Sequence, residues 1–342
     1  MKSILLIRLS ALGDVVMATP LIEALRGRYP DASLTWLVQP EAYDLLKAHP
    51  DLDEVIIWPR SEWRELWRTR RWLELFARIR AFRRSLRQRG FDLAIDMQGL
   101  LKSGLLAWLS GATERVGLGS REGSARLMTR VVDKPGDDTR IGSEYRHLAE
   151  ALGLDTNRFA MHVAVADQDV EDAERALAEA GVTGPYAVLC PFTTRPQKHW
   201  VESRWVELAE QLAARSGLCV VLLGGRGDID AAARIAGLAP AVVNLVGRTR
   251  LGASAAAIKR AKLLVGVDTG LTHMAIAFNV PSVILFGSTC PYLDTGRDNT
   301  AILYKSLECS PCRRNPTCHG EFTCMKQISV DETLNTALSL IR

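Results

Sequence analysis

The feature that most constrains this fold is a repeated alternation of short apolar runs with longer segments of helical periodicity. The runs fall into two series: residues 3–8, 33–38, 54–58 and 92–97, and then residues 186–191, 219–225, 242–247, 262–268 and 282–287. Short apolar runs that alternate with helices are typical of βα units, whose strands pair in a parallel sheet. Each series spans about 150 residues, the usual size of one domain. The pattern therefore predicts an α/β protein with two doubly wound, Rossmann-like parallel sheets.

The two series divide the chain into predicted domains. We expect an N-terminal domain at residues 1–165, a C-terminal domain at residues 166–328, and a helix at residues 329–342 that packs back on the first domain. Ligands of doubly wound sheets bind beyond the carboxyl ends of the strands, so two facing sheets predict a cleft. A hydrophobic content of 47% in 342 residues is ample for two cores.

The N-terminal segment MKSILLIRLSALGD carries an apolar run that is too short for a signal peptide, and it lacks a small-residue cleavage site. The sequence also lacks the charge-free run of about 18 apolar residues that a membrane-spanning helix needs. We therefore expect a cytoplasmic protein. In that compartment its seven cysteines are expected to be thiols or metal ligands, not disulfides.

The segment IRLSALGDVVMATP, residues 7–20, joins the first predicted strand to the first helix. Gly13 permits a tight turn, and Asp14 follows it at the start of the helix. One interpretation is structural, because an aspartate there caps the helix with about 1 kcal/mol of stabilisation. The other is catalytic, because a carboxylate beyond the first strand faces the predicted cleft, where a general base is needed.

A second polar joint follows the first strand of the second series. The loop PFTTRPQKHW, residues 191–200, contains Thr193, Thr194 and Lys198. Hydroxyl and ammonium groups beyond a strand suit phosphate oxygens, whereas the simpler interpretation is a solvated loop.

A third joint is VDTGLTH, residues 267–273. Asp268, Thr269 and Gly270 precede a helix whose free N–H groups and dipole favour an anion such as a diphosphate. An aspartate beside a diphosphate is repulsive unless it binds a sugar hydroxyl or caps the helix. His273, one turn later, is either part of this site or a core histidine with satisfied hydrogen bonds.

Together these motifs resemble the ADP-heptose:lipopolysaccharide heptosyltransferase family of glycosyltransferases. The resemblance rests on IRLSALGDVVMATP, DMQGLLKS, TTRPQKHW and VGVDTGLTHMAIAFNVPSVILFG, in the family's order and spacing over nearly the whole chain. It implies the GT-B fold, in which two Rossmann-like domains face each other across a cleft. It also implies inverting transfer of heptose from ADP-heptose to the inner core of lipopolysaccharide, on Kdo or the first heptose, without a catalytic metal.

The resemblance assigns roles to individual residues. Asp14 matches the base that takes a proton from the acceptor hydroxyl, and Lys198 matches the cation that stabilises the leaving group. In the donor site, Asp268 matches the acid that binds the heptose, and Asp228 is matched to the ribose. The donor-binding set implied in this way is Thr193, Thr194, Lys198, Asp228, Asp268, Thr269, Gly270 and His273.

A strongly basic segment lies in the first half of the chain. Residues 60–89 hold eleven arginines and three glutamates, so this segment carries a charge of +8 and the rest of the chain −4. Basic helices with interleaved tryptophans lie readily on anionic membrane surfaces. The alternatives are a solvated helix face and a nucleic-acid surface, for which no binding motif is present.

The resemblance gives this basic segment a partner, the Kdo–lipid A acceptor at the inner face of the cytoplasmic membrane. We therefore expect a peripheral protein on the inner leaflet, with no nucleic acid as partner. The predicted acceptor-binding set is Arg60, Arg64, Arg68, Lys102 and Arg121.

The segment CSPCRRNPTCHGEFTCM carries four cysteines in a C-x2-C-x5-C-x5-C array: Cys309, Cys312, Cys318 and Cys324. Their number and compactness are typical of a structural zinc or iron site within the Cys-rich segment 309–324, which would clamp a loop without an open catalytic position. The alternative is four free thiols. The commonest members of the resembled family lack this array, whereas relatives that heptosylate autotransporter proteins have a similar cluster.

Three hypotheses therefore stand on the sequence. The first is an inverting heptosyltransferase that acts on the lipopolysaccharide core. The second is a heptosyltransferase of the same fold with a protein acceptor, such as an autotransporter. The third is an inactive, metal-stabilised binding protein, against which the intact Asp14 and Lys198 argue.

Overall fold

The computed structural model describes residues 2–136, 138–312 and 315–341. The chain forms two compact units, Met1–Asp138 with Gly142–Ala164 and Thr139–Ile141 with Val165–Arg342. Each unit contains one six-stranded parallel sheet with its own helices.

Among its described residues, the first unit has six strands and six helices. They are β1 (Ser3–Ile7), α1 (Leu12–Ala18), α2 (Pro20–Arg28), β2 (Ser33–Val38), β3 (Glu54–Ile57), α3 (Arg60–Arg68), α4 (Trp72–Arg87), β4 (Leu93–Asp96), α5 (Leu101–Ser110), β5 (Glu114–Leu118), β6 (Arg130–Val132) and α6 (Ser143–Ala151). Short 3-10 helices at Pro40–Leu45 and Ser124–Leu127 complete it.

The second unit repeats this plan. Its elements are α7 (Asp167–Glu179), β7 (Tyr186–Cys190), α8 (Glu202–Ser216), β8 (Cys219–Leu222), α9 (Ile229–Leu238), β9 (Val242–Asn244), α10 (Leu251–Arg260), β10 (Leu263–Val267), α11 (Gly270–Ala277), β11 (Ser282–Phe286), β12 (Thr300–Tyr304), α12 (Thr323–Lys326) and α13 (Val330–Leu340). Short 3-10 helices lie at Pro196–Lys198 and Arg226–Asp228.

Both sheets have the same strand order. The first runs β3-β2-β1-β4-β5-β6 and the second β12-β11-β10-β7-β8-β9, with every pair parallel. In each sheet the order in which successive strands are added reverses once, between β1 and β4 in the first sheet and between β7 and β10 in the second. Doubly wound sheets bind ligands at this reversal. The predicted α/β class with two Rossmann-like sheets is therefore confirmed.

The cores explain why the central strands read as uninterrupted apolar runs. Ile4 to Ile7 of β1 are fully buried, as are all five residues of β10. Strands of a parallel sheet are covered by helices on both faces, so apolar side chains are needed on both. The last helix, α13, packs against α8 and β11, and Leu334 and Ala337 lie in the core of the second unit.

Two helical segments are interrupted. The basic segment 60–89 forms two helices, α3 and α4, separated where Arg70 adopts a left-handed backbone with a φ of 58°. The segment after β1 also forms two helices, because Pro20 starts α2 and cannot continue the hydrogen bonds of α1.

Candidate active site

The joints singled out in the sequence follow the two strands that flank each reversal of strand order. In the second unit, Thr193, Thr194 and Lys198 follow β7, and Asp268 to His273 follow β10. In the first unit, Asp14 follows β1, and the DMQGLLKS segment begins at the end of β4. Because β1 pairs with β4 and β7 with β10, each sheet brings its two joints to one edge.

Asp268 is the centre of a polar cluster in the second unit. Its Oδ2 lies 2.5 Å from Nζ of Lys198 and 2.5 Å from Oγ1 of Thr289. Its Oδ1 lies 3.3 Å from Nε2 of His273. Only 11% of the Asp268 side chain and 17% of the Lys198 side chain are exposed, so this ion pair is largely removed from solvent.

The environment of Asp268 decides its charge. Burial by itself would raise the pKa of the carboxyl, but the hydrogen bond from His273 and the charge of Lys198 hold that pKa well below its usual range. Asp268 is therefore a carboxylate at neutral pH. It can accept hydrogen bonds on both oxygens and orient the ammonium group of Lys198.

The loop after β7 is tied to the same cluster. Oγ1 of Thr193 donates to the main-chain carbonyl of Asp268 at 3.1 Å. The ring of His199 lies 2.9 Å from the carbonyl of Thr193, and the 3-10 helix Pro196–Lys198 turns Lys198 towards Asp268. Thr194 is exposed.

The start of α11 provides the main-chain component of the site. Thr269 is the N-cap residue, but its hydroxyl does not cap the helix, and Gly270 is the first helical residue. The first-turn N–H groups of a helix have no partner within the helix, and its dipole is positive at this end. The arrangement suits an anion beside the ammonium group of Lys198.

Asp228 has a local partner in the turn after β8. Its Oδ2 accepts a hydrogen bond from the N–H of Gly225 at 2.9 Å, which closes the 3-10 turn Arg226–Asp228. The contact leaves its other carboxylate oxygen for a ligand.

Asp14 lies in the first turn of α1. Its Oδ2 accepts a hydrogen bond from the N–H of Ala11 at 3.2 Å, as the structural interpretation of this aspartate requires. The same oxygen forms an ion pair with the guanidinium of Arg8. The Arg8 side chain is buried and anchored through Nη1 to the carbonyl of Met97 at 2.8 Å, while 34% of the Asp14 side chain is exposed. Asp14 is therefore a fixed carboxylate with one accessible side.

The polar residues of DMQGLLKS mostly stabilise their own joint. Asp96 is fully buried and accepts from the N–H groups of Gln98 and Gly99 and from the hydroxyl of Ser103. Burial raises the pKa of Asp96 in spite of these bonds. Oε1 of Gln98 accepts from the N–H of Leu9 at 3.0 Å, so it joins the ends of β4 and β1.

Two residues of the predicted acceptor set lie beside this joint. Burial and the positive charge of Arg60 lower the pKa of Lys102, and Glu122 offsets part of that effect. Arg121 is exposed, and its N–H donates to the carbonyl of Gly99 at 2.8 Å. Gly99 has a φ of 65°, and a Cβ there would lie 2.3 Å from the carbonyl oxygen of Leu118, so only glycine fits this turn.

The remaining predicted arginines lie on an aromatic surface, which we call the α3–α4 face. A surface cavity of about 480 Å³ is lined by Arg64, Trp67, Arg68, Arg70 and Trp72. The rings of Trp67 and Trp72 meet edge to face with centroids 4.4 Å apart.

Several apolar side chains of α3 and α4 face solvent. Trp67 is 64% exposed and Phe76 66%, and Leu73 is also exposed, whereas Trp63 packs edge to face on Phe82. Within α4 the buried residues are Leu75 and Leu86, whereas Trp72 and Phe76 are exposed, so not every apolar residue of this segment lies in the core.

The predicted metal ligands do not form a metal site in the part of the chain that the structure describes. No group of three His, Cys, Asp or Glu side chains in the described ranges is arranged to hold a metal ion. Cys309, Cys312 and Cys318 are half-buried thiols, and Cys324 is buried in the apolar core of the second unit beside Met325. Burial and the neighbouring thiols of Cys312 and Cys309 raise the pKa of Cys324, so its thiol lies near theirs. The structural zinc or iron site therefore stays a prediction.

Two residues that complete the Asp268 cluster were not predicted. Thr289 and Tyr292 lie after β11; Oγ1 of Thr289 contacts Asp268, and Oη of Tyr292 lies 2.7 Å from Nδ1 of His273. His273 and Tyr292 are 3% and 1% exposed, so both side chains of this pair are buried. The available signal was their position just beyond the strand that pairs with β10.

None of the helices among the described residues is both long enough and apolar enough to cross a membrane.

Comparison with solved structures places the fold. Over 98% of this chain and 99% of the other, it superposes on the E. coli heptosyltransferase WaaC with ADP-2-deoxy-2-fluoro heptose, with a TM-score of 0.74 and 24% identity. The iron-containing dodecameric glycosyltransferase TibC from enterotoxigenic E. coli H10407 is more distant, with a TM-score of 0.56 and 13% identity over 99% of this chain and 78% of that one. These likenesses concern the fold, and they confirm the GT-B class.

Sequence comparison identifies the family. The profile of glycosyltransferase family 9 (heptosyltransferase) matches residues 79–322. Lipopolysaccharide heptosyltransferase 1 of Pseudomonas aeruginosa PAO1 is 32% identical over 322 residues, which cover 92% of this chain and 87% of that protein. Two parallel Rossmann-like sheets, a carboxylate–lysine cluster at a strand-order reversal and these matches lead to one conclusion: the chain is a glycosyltransferase and belongs to glycosyltransferase family 9, the heptosyltransferase family.

Proposed function

We propose that the protein transfers heptose from ADP-heptose to the inner core of lipopolysaccharide, on Kdo or on the first heptose, with inversion at the anomeric carbon. The observation that carries the proposal is the Asp268 cluster, in which a buried carboxylate, a lysine and the start of a helix meet at a strand-order reversal. Family membership and the name of the Pseudomonas relative support the same substrate class.

In this proposal the donor occupies the edge of the second sheet. The N–H groups at Thr269 and Gly270 and the hydroxyls of Thr193 and Thr194 hold the diphosphate, while Asp268 accepts from heptose hydroxyls. Lys198, which Asp268 orients, stabilises the negative charge that develops on the leaving ADP. Preorganised charges of this kind are the largest usual contribution to group transfer.

The acceptor hydroxyl is deprotonated by Asp14. Its carboxylate has one accessible side, and the ion pair with buried Arg8 fixes its direction. The proton passes from the acceptor hydroxyl to the carboxylate as the oxygen attacks the anomeric carbon, and ADP leaves from the opposite face.

The acceptor's anionic groups and the membrane surface engage the basic residues of the first unit. Arg60, Lys102 and Arg121 lie around the joint after β4 and suit carboxylates or phosphates. Arg64 and Arg68 lie on the α3–α4 face, where the exposed aromatic side chains suit the interfacial region of an anionic leaflet. The protein is then peripheral on the inner leaflet.

The test is ADP release from purified protein given ADP-L-glycero-D-manno-heptose, with de-acylated Kdo₂–lipid A or with the same lipid lacking Kdo. We expect release that depends on Kdo. ADP release at the same rate with and without either lipid would contradict a lipid acceptor and would direct the search to protein acceptors. Absence of both release and calorimetric binding would contradict the donor.

A matched pair of variants tests the base. Asp14→Asn is expected to lower kcat/KM by about 10²- to 10⁴-fold. Asp155→Asn, which alters an exposed loop aspartate that accepts from the N–H of Asn157, should leave the rate unchanged. Full activity in Asp14→Asn would overturn the assignment.

A further inference from the structure

His273 is held between two groups of opposite hydrogen-bonding character. Its Nε2 faces Oδ1 of Asp268 at 3.3 Å, and its Nδ1 faces Oη of Tyr292 at 2.7 Å. All three side chains are buried or nearly so. Because water does not reach the ring, the two protein partners determine which imidazole nitrogen carries a hydrogen.

The proton positions follow from what each partner can do. A carboxylate only accepts, so Nε2 must carry the hydrogen that faces Asp268. Burial and then the charge of Asp268 raise the pKa of Tyr292 well above its usual value, so this phenol keeps its proton. A phenol O–H that donates to Nδ1 leaves a neutral imidazole with its hydrogen on Nε2, and every hydrogen bond is satisfied.

We propose that Tyr292 is a positioning residue that fixes the Nε2–H tautomer of His273 and, through it, the orientation of the Asp268 carboxylate. With Oδ1 held by His273, Oδ2 is directed to Lys198 and Thr289. The chain reaches this arrangement because β11 pairs with β10, which brings the segment after β11 over the first turn of α11. This role in the donor site rests on the proposed function.

The phenolic oxygen can be separated from the rest of the side chain. The ring of Tyr292 also packs edge to face on Phe286, with centroids 5.1 Å apart, and a phenylalanine retains that contact. Tyr292→Phe removes only the donor to Nδ1. His273 then either moves its hydrogen to Nδ1, which turns a lone pair towards Asp268, or binds a second proton.

Either response removes the neutral Nε2–H form of His273, and this loss is the signature of the variant. The charged or titratable groups that contact the cluster include Asp268, Lys198, Tyr292 and Cys290, and burial raises the pKa of Cys290 to about 11, so its thiol is neutral at pH 7.5. On α10, which packs on α11, Lys259 and Arg260 contact Phe278 and Glu174 instead.

Donor kinetics test the proposal. Tyr292→Phe is expected to raise KM for ADP-heptose about ten-fold relative to the wild type and to abolish the neutral Nε2–H pattern of His273 in long-range ¹H–¹⁵N spectra. Thr289→Val is the matched control, since it removes a hydrogen bond to the same carboxylate without touching His273. It should raise KM and leave the tautomer of His273 unchanged. No rise of KM in Tyr292→Phe, or a rise with the Nε2–H pattern intact, would overturn the proposal.

A second measurement needs no donor and is made on the wild-type protein; a variant serves only to assign the His273 signal. Long-range ¹H–¹⁵N spectra of wild-type protein labelled at its six histidines, with His273 assigned through His273→Gln, report the tautomer directly. We expect the neutral Nε2–H pattern at pH 7.5. An Nδ1–H pattern or an imidazolium would overturn the role of Tyr292, whereas absent turnover with the expected pattern would contradict the proposed function alone.

Discussion

The Asp268 side chain binds three other side chains of the candidate site. Its carboxylate has the ammonium of Lys198 and the hydroxyl of Thr289 on one oxygen and the imidazole of His273 on the other. A buried carboxylate without partners would be neutral, so the partners are what keep the charge in place. The same charge holds Lys198 in a single direction.

The first prediction at this scale concerns that lysine. Lys198→Met removes the positive charge at the predicted diphosphate and leaves Asp268 buried without its ion-pair partner. We expect kcat to fall by about 10²- to 10³-fold, as when a preorganised donor to a leaving group is lost. Steady-state ADP release measures it, with Lys262→Met, an exposed lysine of the same unit, as the control. An equal effect in both variants would contradict the prediction.

A second prediction concerns His49, a buried histidine far along the chain from the motifs. Burial and the charge of His162 lower the pKa of His49 to about 4. Its Nδ1 accepts from the N–H of Asp51 at 3.2 Å, which requires the neutral ring. In the unfolded chain a histidine protonates near pH 6.5, so the unfolded state binds the proton first and stability falls as the pH drops from about 7 to 4.

Urea unfolding at pH 7.5 and pH 5 measures this effect. The wild type should lose on the order of 1 to 2 kcal/mol of unfolding free energy from this group, allowing for its partial contact with solvent. His49→Asn keeps an acceptor for Asp51 but does not titrate in this range. It should show a smaller loss, and identical losses in the two proteins would show that His49 is not responsible.

At the scale of elements, most strands were predictable, including the edge strands β3 and β9. The runs that became β1, β7 and β10 are almost wholly apolar because both faces are covered. The strands β5, β6 and β12 were missed. In β6 and β12, which lie at sheet edges, most residues are exposed or only partly buried, and β5 begins with the charged pair Glu114 and Arg115.

The residues of the candidate site also divide into those that the sequence predicted and those that it did not. The positions of Asp14 and Asp268 at strand ends were predictable, because Asp268 directly follows β10 and Asp14 lies in the first turn of α1, whereas Lys198 lies further along the loop after β7. Thr289 and Tyr292 lie in a segment without periodicity, and their contacts depend on which strand pairs with β10. Likewise, nothing in the spacing of four cysteines indicates that Cys324 is used in the core.

The helices α3 and α4 carry the prediction for this scale. Trp67 and Phe76 are exposed on a face rich in arginine, so they are expected to insert at an anionic membrane surface. The double variant Trp67→Ser, Phe76→Ser should bind vesicles containing phosphatidylglycerol about ten-fold more weakly, as measured by co-sedimentation. Leu238→Ser, at an exposed leucine of the second unit, is the control.

Salt separates the two contributions to this binding. Wild-type binding should weaken between about 0.05 and 0.3 M NaCl, because the Debye length shortens and exposed arginines are screened. The α3–α4 face would be dismissed as a membrane surface if the aromatic variant bound as tightly as the wild type, or if Leu238→Ser lost as much.

The whole molecule is two sheets with one strand order, and each has its polar joints at the reversal. In the proposed mechanism, Lys198 and the start of α11 provide the positive charge that other transferases take from a divalent ion. We therefore expect turnover to be unchanged when 5 mM EDTA, about a hundred-fold excess over trace metal, is present throughout the assay. A loss of kcat that added magnesium restores would contradict this account of leaving-group stabilisation.

The shared strand order places the candidate site at one edge of the second sheet. The joints after β7 and β10 carry the side chains of the Asp268 cluster, Lys198 and His273 among them. The turns that enter the strands at the opposite edge carry no side chain of this cluster. Thr183 and Gly184, in the turn just before β7, are exposed. A peptide tag or fluorophore inserted between those two residues should be carried without loss of catalysis, which makes this turn a practical handle for immobilising the enzyme or following it under the microscope.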